Sequence, residues 1–277
     1  MSGIDQFRYD GKRAVVVGGA TGMGAATADL LIDLGAEVVI MDRAVVERDG
    51  TTFIQVDLSD QASIDRAVAE CGGPIDALFS CAGVADGTPG LPRINFIGHR
   101  HFIDTMFAAE LMPPGGSISM ISSAGGLAWE KHLDRLNRYL DTPDFDTAVQ
   151  WVADNPGTDD YMWSKQAICA YVAREAFPML RDRAVRINAI LPGPTDTPLA
   201  QANKDIWLEF GKDYRTEAGV EASTPAEQAS VLVFLGSQAA RSIAGMTLIT
   251  DVGYISSGLT NSYPPAKGVA EWLCGRV

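Results

Sequence analysis

Positive charge is scarce in this chain: 22 Lys and Arg stand against 35 Asp and Glu, for a formal net charge of −13. An acidic surface repels phosphate backbones and anionic lipid, which excludes non-specific nucleic-acid and membrane-surface binding as functions. Any anionic ligand must then be captured by a local device. Cysteine is also sparse. Cys71, Cys81, Cys169 and Cys274 show neither C-x-x-C spacing nor a metal-like pairing with the three histidines. That excludes a disulfide scaffold and a zinc module, and predicts free thiols in a reducing compartment with no metal. Long apolar runs are missing. Ala14–Val17 and Val38–Met41 are strand-sized, far short of the about 20 residues that cross a bilayer. Met1–Asp10 has no apolar core of signal-peptide length. The expectation is a soluble, cytoplasmic protein with a small-molecule partner, no nucleic acid and no membrane.

What is present is alternation. Short β-rich runs at 13–18, 37–42, 52–56, 75–81, 116–123, 184–191 and 245–251 are separated by helix-length amphipathic stretches at 22–34, 60–70, 92–112, 161–180 and 225–236. Alternating strands and helices predict an α/β fold: one doubly wound, seven-stranded parallel sheet with helices on both faces, filling residues 1–277 as a single domain. Two connections break the rhythm. Residues 127–160 form an insertion with helix-like runs at Trp129–Leu140 and Phe145–Ala153 around a Thr142-Pro143 break. Residues 195–223 form the other, with Trp207, Phe210 and Tyr214 spaced for one helix face. Compact domains rarely carry connections this long without a use. The second predicts either a lid over a bulky apolar substrate or an amphipathic helix packed on the core.

Gly18, Thr21, Gly22, Met23 and Gly24 lie between the first strand and the first helix. Glycines there let backbone approach a pyrophosphate, and the helix N-terminus offers free N–H groups and a positive dipole end. The spacing is G-x-x-x-G-x-G. Asp42 closes the second strand, where a carboxylate accepts both hydroxyls of an adenosine ribose; the competing reading is a turn-initiating Asp. Asp57, with Leu58 beside it, bounds an adenine pocket or merely caps a turn. These features together make the expected fold Rossmann-type.

Tyr161 and Lys165 are four residues apart on a predicted helix and share a face. A nearby ammonium and an oxidised nicotinamide would draw the phenol's pKa down from about 10, so that it can exchange a proton with an alcohol as hydride moves. Y-x-x-x-K alone is usually a surface pair. Ser122-Ser123 at the carboxyl end of the fifth strand adds a hydroxyl where open α/β sheets place their ligands.

The combination resembles the short-chain dehydrogenase/reductase superfamily from about Gly11 to Gly253. The family's opening T-G appears as Val17-Gly18, and its N-N-A-G stretch as Ser80-Cys81-Ala82-Gly83. The Ala-Gly half survives; the first Asn is lost, so its structural hydrogen bonds must be replaced. The resemblance implies that Ser123, Tyr161 and Lys165 are catalytic. It puts the family's Asn on Asn95, with a water in a proton relay beyond the Lys. Cys81, Ala82, Gly83, Pro192, Gly193, Thr195 and Thr197 are implied cofactor contacts, with Pro192, Gly193 and Thr197 on the nicotinamide side. Ser123 and Tyr161 stand 38 positions apart, much further than the resemblance implies. That insertion, Trp129-Glu130-Lys131 and the run Ala189–Leu199 are similar to the 3α-hydroxysteroid dehydrogenase/carbonyl reductase (coniferyl-alcohol dehydrogenase-like) branch.

The function implied is NAD(H)-dependent interconversion of a hydrophobic alcohol, hydroxysteroid- or aryl-alcohol-like, and its ketone or aldehyde. NAD is expected because a 2′-phosphate would meet the Asp42 carboxylate, although Arg43 next to it could cradle that phosphate. The alternative is a non-catalytic dinucleotide-binding scaffold acting through protein partners, which gives no reason to keep Asn95, Ser123, Tyr161 and Lys165 together. The resemblance also implies a homodimer or homotetramer.

Overall fold

A computed structural model describes residues 3–276. Its seven strands are β1 (Arg13–Val17), β2 (Glu37–Asp42), β3 (Thr51–Gln55), β4 (Ala77–Ser80), β5 (Ser117–Ile121), β6 (Arg186–Pro192) and β7 (Thr247–Thr250). They pair in parallel in the order β3-β2-β1-β4-β5-β6-β7. Chain order thus runs outward in opposite directions from the β1–β4 pair, and such a reversal leaves a crevice at the strands' carboxyl ends.

A sheet buried on both faces needs apolar residues at every position, and these strands supply them. Val15, Val17, Val39, Met41 and Leu78 enter one core, beneath α2 (Gln61–Cys71), α3 (Gly98–Ala108) and α6 (Tyr161–Arg183). Their neighbours Ala14, Val16, Val38, Ile40 and Phe79 enter the other, beneath α1 (Gly22–Asp33) and α10 (Pro225–Gly236). The split is the period-2 alternation of a strand, with both sides apolar.

The insertion predicted at 127–160 is helical. A 3₁₀ turn at Trp129–His132 leads into α4 (Leu133–Leu140), and Asp144 caps α5 (Phe145–Asp154) by accepting the Thr147 N–H at 2.8 Å. Aromatic rings hold it against α6. Tyr139 stacks on Trp151 at 4.8 Å, Trp151 on Trp163 at 6.1 Å, and Tyr139 meets Phe96 at 5.3 Å.

Three elements differ from expectation. The helix expected from Pro92 opens as a π-helix at Arg93–Ile97, and α3 begins only at Gly98. There a Cβ would lie 2.3 Å from the Leu58 carbonyl oxygen, so this close approach requires glycine. The 195–223 connection is not one helix face but three short pieces: α7 (Pro198–Ala202), α8 (Lys204–Trp207) and α9 (Lys212–Ala218). Gly211, at φ +64°, breaks it, and the buried Arg215 guanidinium donates to the Phe210 and Leu208 carbonyls at 2.7 and 2.5 Å. A side chain thereby satisfies the backbone that a continuous helix would have used. Beyond β7 the chain adds α11 (Tyr254–Leu259) and α12 (Lys267–Leu273), which pack as a small third core with Phe210 and Met162.

Phe79 sits at the centre of one face, fully buried between Tyr9 and Gly236. Phe79→Ala should destabilise the protein by about 3–5 kcal/mol, the usual cost of emptying an aromatic core position. Chemical denaturation measures it, and a loss under about 1 kcal/mol would contradict the packing described.

Candidate active site

The crevice begins with the glycine turn. A Cβ on Gly18 would lie 2.4 Å from the Ala82 nitrogen, and one on Gly24 would lie 2.0 Å from the Gly18 carbonyl oxygen. Side chains are excluded here by the turn itself, which is pressed between β1 and the end of β4. Behind it α1 starts with no side-chain cap on Thr21 and no acid in its first turn. The helix therefore presents bare N–H groups and its positive end to a cavity lined by Gly18, Thr21, Gly22, Met23 and Gly24. In a chain of net charge −13, this is the local device an anion requires.

Asp42 lies across that cavity. Its two oxygens accept the Ala20 and Ala44 N–H groups, each at 3.0 Å. These bonds give it the turn-closing role, and each oxygen keeps a further acceptor site. Arg43 is exposed at the rim. Asp57 accepts from the Ser59 N–H at 2.8 Å and hydroxyl at 2.7 Å, and that hydroxyl draws its carboxyl below the usual range. It closes a turn and, with Leu58, lines the same cavity.

Tyr161 opens α6. Asp160 caps the helix by accepting the Trp163 N–H at 2.7 Å, and Asp86, from the loop after β4, accepts the Tyr161 N–H at 2.7 Å. Sequence reasoning gave no signal for Asp86. Ser123, whose hydroxyl accepts the Gly125 N–H at 3.2 Å, lies close enough to the Tyr161 phenol to act on its pKa. Lys165, one turn on, is 3% exposed; its Nζ donates to the Ile121 carbonyl at 3.1 Å and stands 5.4 Å from the Tyr161 ring centre. Ser122 points away and donates to the Lys165 carbonyl at 2.8 Å, which separates the two serines cleanly. Asn95, on the π-helical turn, accepts the Val84 N–H at 2.8 Å and donates to the Val84 carbonyl at 3.0 Å and the Ser164 hydroxyl at 3.2 Å. Its amide is committed to holding the Ala82–Val84 loop.

Burial dominates the electrostatics. It raises the Tyr161 pKa, against the Ser123 hydrogen bond, and Asp86 raises it further. It lowers Lys165 to about 8, with the Cys169 and Cys81 thiols acting in the opposite direction. In the free protein desolvation thus outweighs the drawing-down of the phenol expected from the ammonium alone.

A second cavity of about 330 Å³ adjoins the first and shares Met23, Cys81, Gly83 and Thr197 with it. That volume is within the ~300–1,000 Å³ of small-molecule sites. Ser123, Tyr161 and Lys165 open into it, as do Pro192, Gly193 and Thr195. Thr195 donates to the Gly193 carbonyl at 3.0 Å and Thr197 caps α7, so both hydroxyls are already engaged. The far wall is Met162, Ile206, Trp207, Phe210 and Leu273, and the Trp207 ring centre is 5.2 Å from that of Tyr161. Among the described residues, Lys165 is the only charged one lining it. Of the three aromatics expected to face a substrate, Tyr214 does not line this cavity: its hydroxyl donates to the Val252 carbonyl at 2.9 Å and its ring packs on Tyr254 and Tyr263. Leu273 escaped sequence reasoning because α12 lies beyond the stretch whose motifs could be read.

Residues 12–133 match the short chain dehydrogenase family model, and residues 147–255 match the model described as Enoyl-(Acyl carrier protein) reductase. The gap between the two matches falls in the insertion. The chain is 30% identical to coniferyl-alcohol dehydrogenase of a Pseudomonas species, over 89% of this chain and 97% of that one. It is 30% identical to the 3-alpha-hydroxysteroid dehydrogenase/carbonyl reductase of Comamonas testosteroni, over 86% and 95%. Among solved structures, a Pseudomonas 3-alpha-hydroxysteroid dehydrogenase complexed with NADH superposes with a TM-score of 0.72 at 26% identity, over 91% of this chain and 99% of that one.

The buried Lys165 sets a pH dependence of stability. Its folded pKa, about 8, lies below the ordinary 10.5. Between those values the unfolded chain holds the proton and the folded one does not, so this residue makes stability rise with pH across that window. Below pH 8 its charge is a constant penalty. Lys165→Met should flatten that rise, and denaturation curves at pH 7 to 10 measure it; an unchanged slope would contradict the burial of the ammonium.

Proposed function

The chain belongs to the short-chain dehydrogenase family, and we propose that it is an NAD(H)-dependent oxidoreductase that interconverts an uncharged hydrophobic alcohol and its ketone or aldehyde. One observation carries this reading: Ser123, Tyr161 and Lys165 converge on an apolar cavity continuous with the glycine cradle.

The cradle fits a nicotinamide dinucleotide on its own terms. An uncapped helix end suits a pyrophosphate, a fixed carboxylate with spare acceptor capacity suits a ribose diol, and Thr197 stands where the two cavities meet. When bound, the nicotinamide supplies the hydride acceptor or donor. The chain does the rest. Ser123 holds the substrate oxygen beside the phenol. Tyr161 takes the alcohol's proton in oxidation and returns it to the carbonyl oxygen in reduction. Lys165, as an ammonium, stabilises the phenolate. Asn95 keeps the Ala82–Val84 wall in place behind it.

The substrate class follows from the walls. A carboxylate substrate would need a partner cation, and Lys165 is committed to the catalytic end. Trp207 beside Tyr161, with Ile206, Phe210, Met162 and Leu273, favours a flat, bulky apolar body. The names of the two curated relatives, one for an aryl alcohol and one for a hydroxysteroid, fit that class. Residues 195–223 act as the lid, with Trp207 and Phe210 as its inner face.

A panel of aromatic primary alcohols and steroid-like secondary alcohols, followed by nicotinamide absorbance, tests the activity. Tyr161→Phe keeps the ring and removes only the proton carrier, so it should bind NADH normally while turnover falls by about 10²-fold or more. Near-normal turnover in this variant would sink the mechanism.

Coenzyme choice rests on Asp42. A 2′-phosphate would place about two negative charges against its carboxylate in a confined site, whereas the exposed Arg43 is free to swing to solvent. NAD(H) should therefore be preferred in kcat/KM over NADP(H), and Asp42→Ala should erode the preference. Higher efficiency on NADP(H) in the unaltered protein would overturn the assignment.

A further inference from the structure

His99 is 1% exposed, lies on α3 one turn beyond Asn95, and was not singled out by any motif. Its Nε2 is 3.0 Å from the Ala82 carbonyl oxygen. A carbonyl only accepts, so Nε2 carries the proton and donates, which leaves Nδ1 bare. Nδ1 is buried and has no hydrogen-bond partner.

That other end grips the wall of the dinucleotide crevice. The Ala82 N–H is bonded to the Val17 carbonyl at 3.0 Å, at the end of β1. Ala82 is also the residue against which Gly18 is pressed. Two residues on, Asn95 holds both the N–H and the carbonyl of Val84. Gly83 is left between the two grips, where a Cβ would lie 3.5 Å from Lys165 Nζ and 3.6 Å from Asn95 Oδ1. The π-helical turn and the first turn of α3 therefore fix alternate residues of this loop, with Lys165 behind the residue in the middle.

We propose that His99 is a positioning residue for coenzyme binding: as a neutral imidazole it holds the Ala82 carbonyl, and with Asn95 it clamps the Ala82–Val84 wall in its binding conformation. Burial drives the His99 pKa down to about 4 against the Ala82 hydrogen bond, with the Lys165 charge acting in the same direction as burial, so the ring stays neutral throughout neutral pH. The proposal rests on the dinucleotide reading of the crevice.

Two polar substitutions of similar size separate this role from simple core packing. In His99→Gln the amide nitrogen reaches the place of Nε2; in His99→Asn it ends near Nδ1 and cannot reach Ala82. NADH binding to the free protein is titrated by fluorescence, KM for NADH and kcat are measured, and hydrogen exchange is followed across residues 80–84 without dinucleotide. His99→Gln should stay within about twofold of the unaltered protein. His99→Asn should bind NADH about five- to tenfold more weakly, the factor of one lost hydrogen bond. Its KM for NADH should rise with little change in kcat, and the 80–84 amides should exchange faster. Equal NADH affinity in both variants, whether normal or impaired, would overturn the proposal. If the unaltered protein bound no NADH while exchange still responded to Asn and not to Gln, the dinucleotide reading would fail and the clamp would stand.

Discussion

Parallel strands whose order runs outward in opposite directions from one pair cannot have that pair's carboxyl ends covered by their own crossover connections. In this protein the pair is β1 and β4, and every functional element described is a consequence of the gap between them. The glycine turn leaves β1 on one side of it, and Cys81, Ala82 and Gly83 leave β4 on the other. The two sides are pressed together so closely that Gly18 has no room for a Cβ against Ala82. β5 ends next to them and delivers Ser123. α6, packed under the same edge, delivers Tyr161 and Lys165. Backbone ends, a helix dipole and a gap coincide here.

The cost of that arrangement is carried by Lys165. An ammonium almost sealed from water keeps a hydrogen bond to the Ile121 carbonyl and stands near two thiols. It is a destabilising placement for the free protein and, on the proposed mechanism, a useful one, since a charge in a dry setting would act strongly on a phenolate nearby. The supporting shell is correspondingly dense. Ser122 fixes the Lys165 carbonyl, Asn95 ties Ser164 to Val84, and Asp86 ties the first turn of α6 to the β4 loop. The aromatic stack of Tyr139, Trp151 and Trp163 then braces α6 from the insertion side.

Much of this was legible in the sequence, for a physical reason. Strands buried on both faces read as unbroken apolar runs, and the cradle, Asp42, Ser123, Tyr161 and Lys165 sit at fixed places relative to those runs. The unread parts are those fixed by tertiary approach. The start of α3 at Gly98 depends on the Leu58 carbonyl, which periodicity cannot see. The 195–223 segment looked like one helix face because Trp207, Phe210 and Tyr214 have helical spacing; Gly211 and the inward Arg215 break it, and Tyr214 turns to Tyr254 instead. Leu273 reaches the substrate cavity from a seven-residue helix beyond the recognisable motifs. His99 and Asp86 act through single hydrogen bonds to backbone, which leave no pattern in the chain.

The central claim is that the β1–β4 crevice and the adjoining apolar cavity form one site, with a dinucleotide in the first and a substrate oxygen between Ser123 and Tyr161 in the second. A crystal structure of the complex with NADH and an unreactive hydrophobic alcohol analogue tests it most directly. The account predicts the pyrophosphate on the N–H groups of Gly22 to Gly24, the adenosine ribose on Asp42, and the analogue's oxygen within hydrogen-bond reach of both Ser123 and Tyr161. A dinucleotide bound elsewhere, or an analogue whose oxygen turns away from Tyr161 toward Trp207 and Leu273, would contradict it.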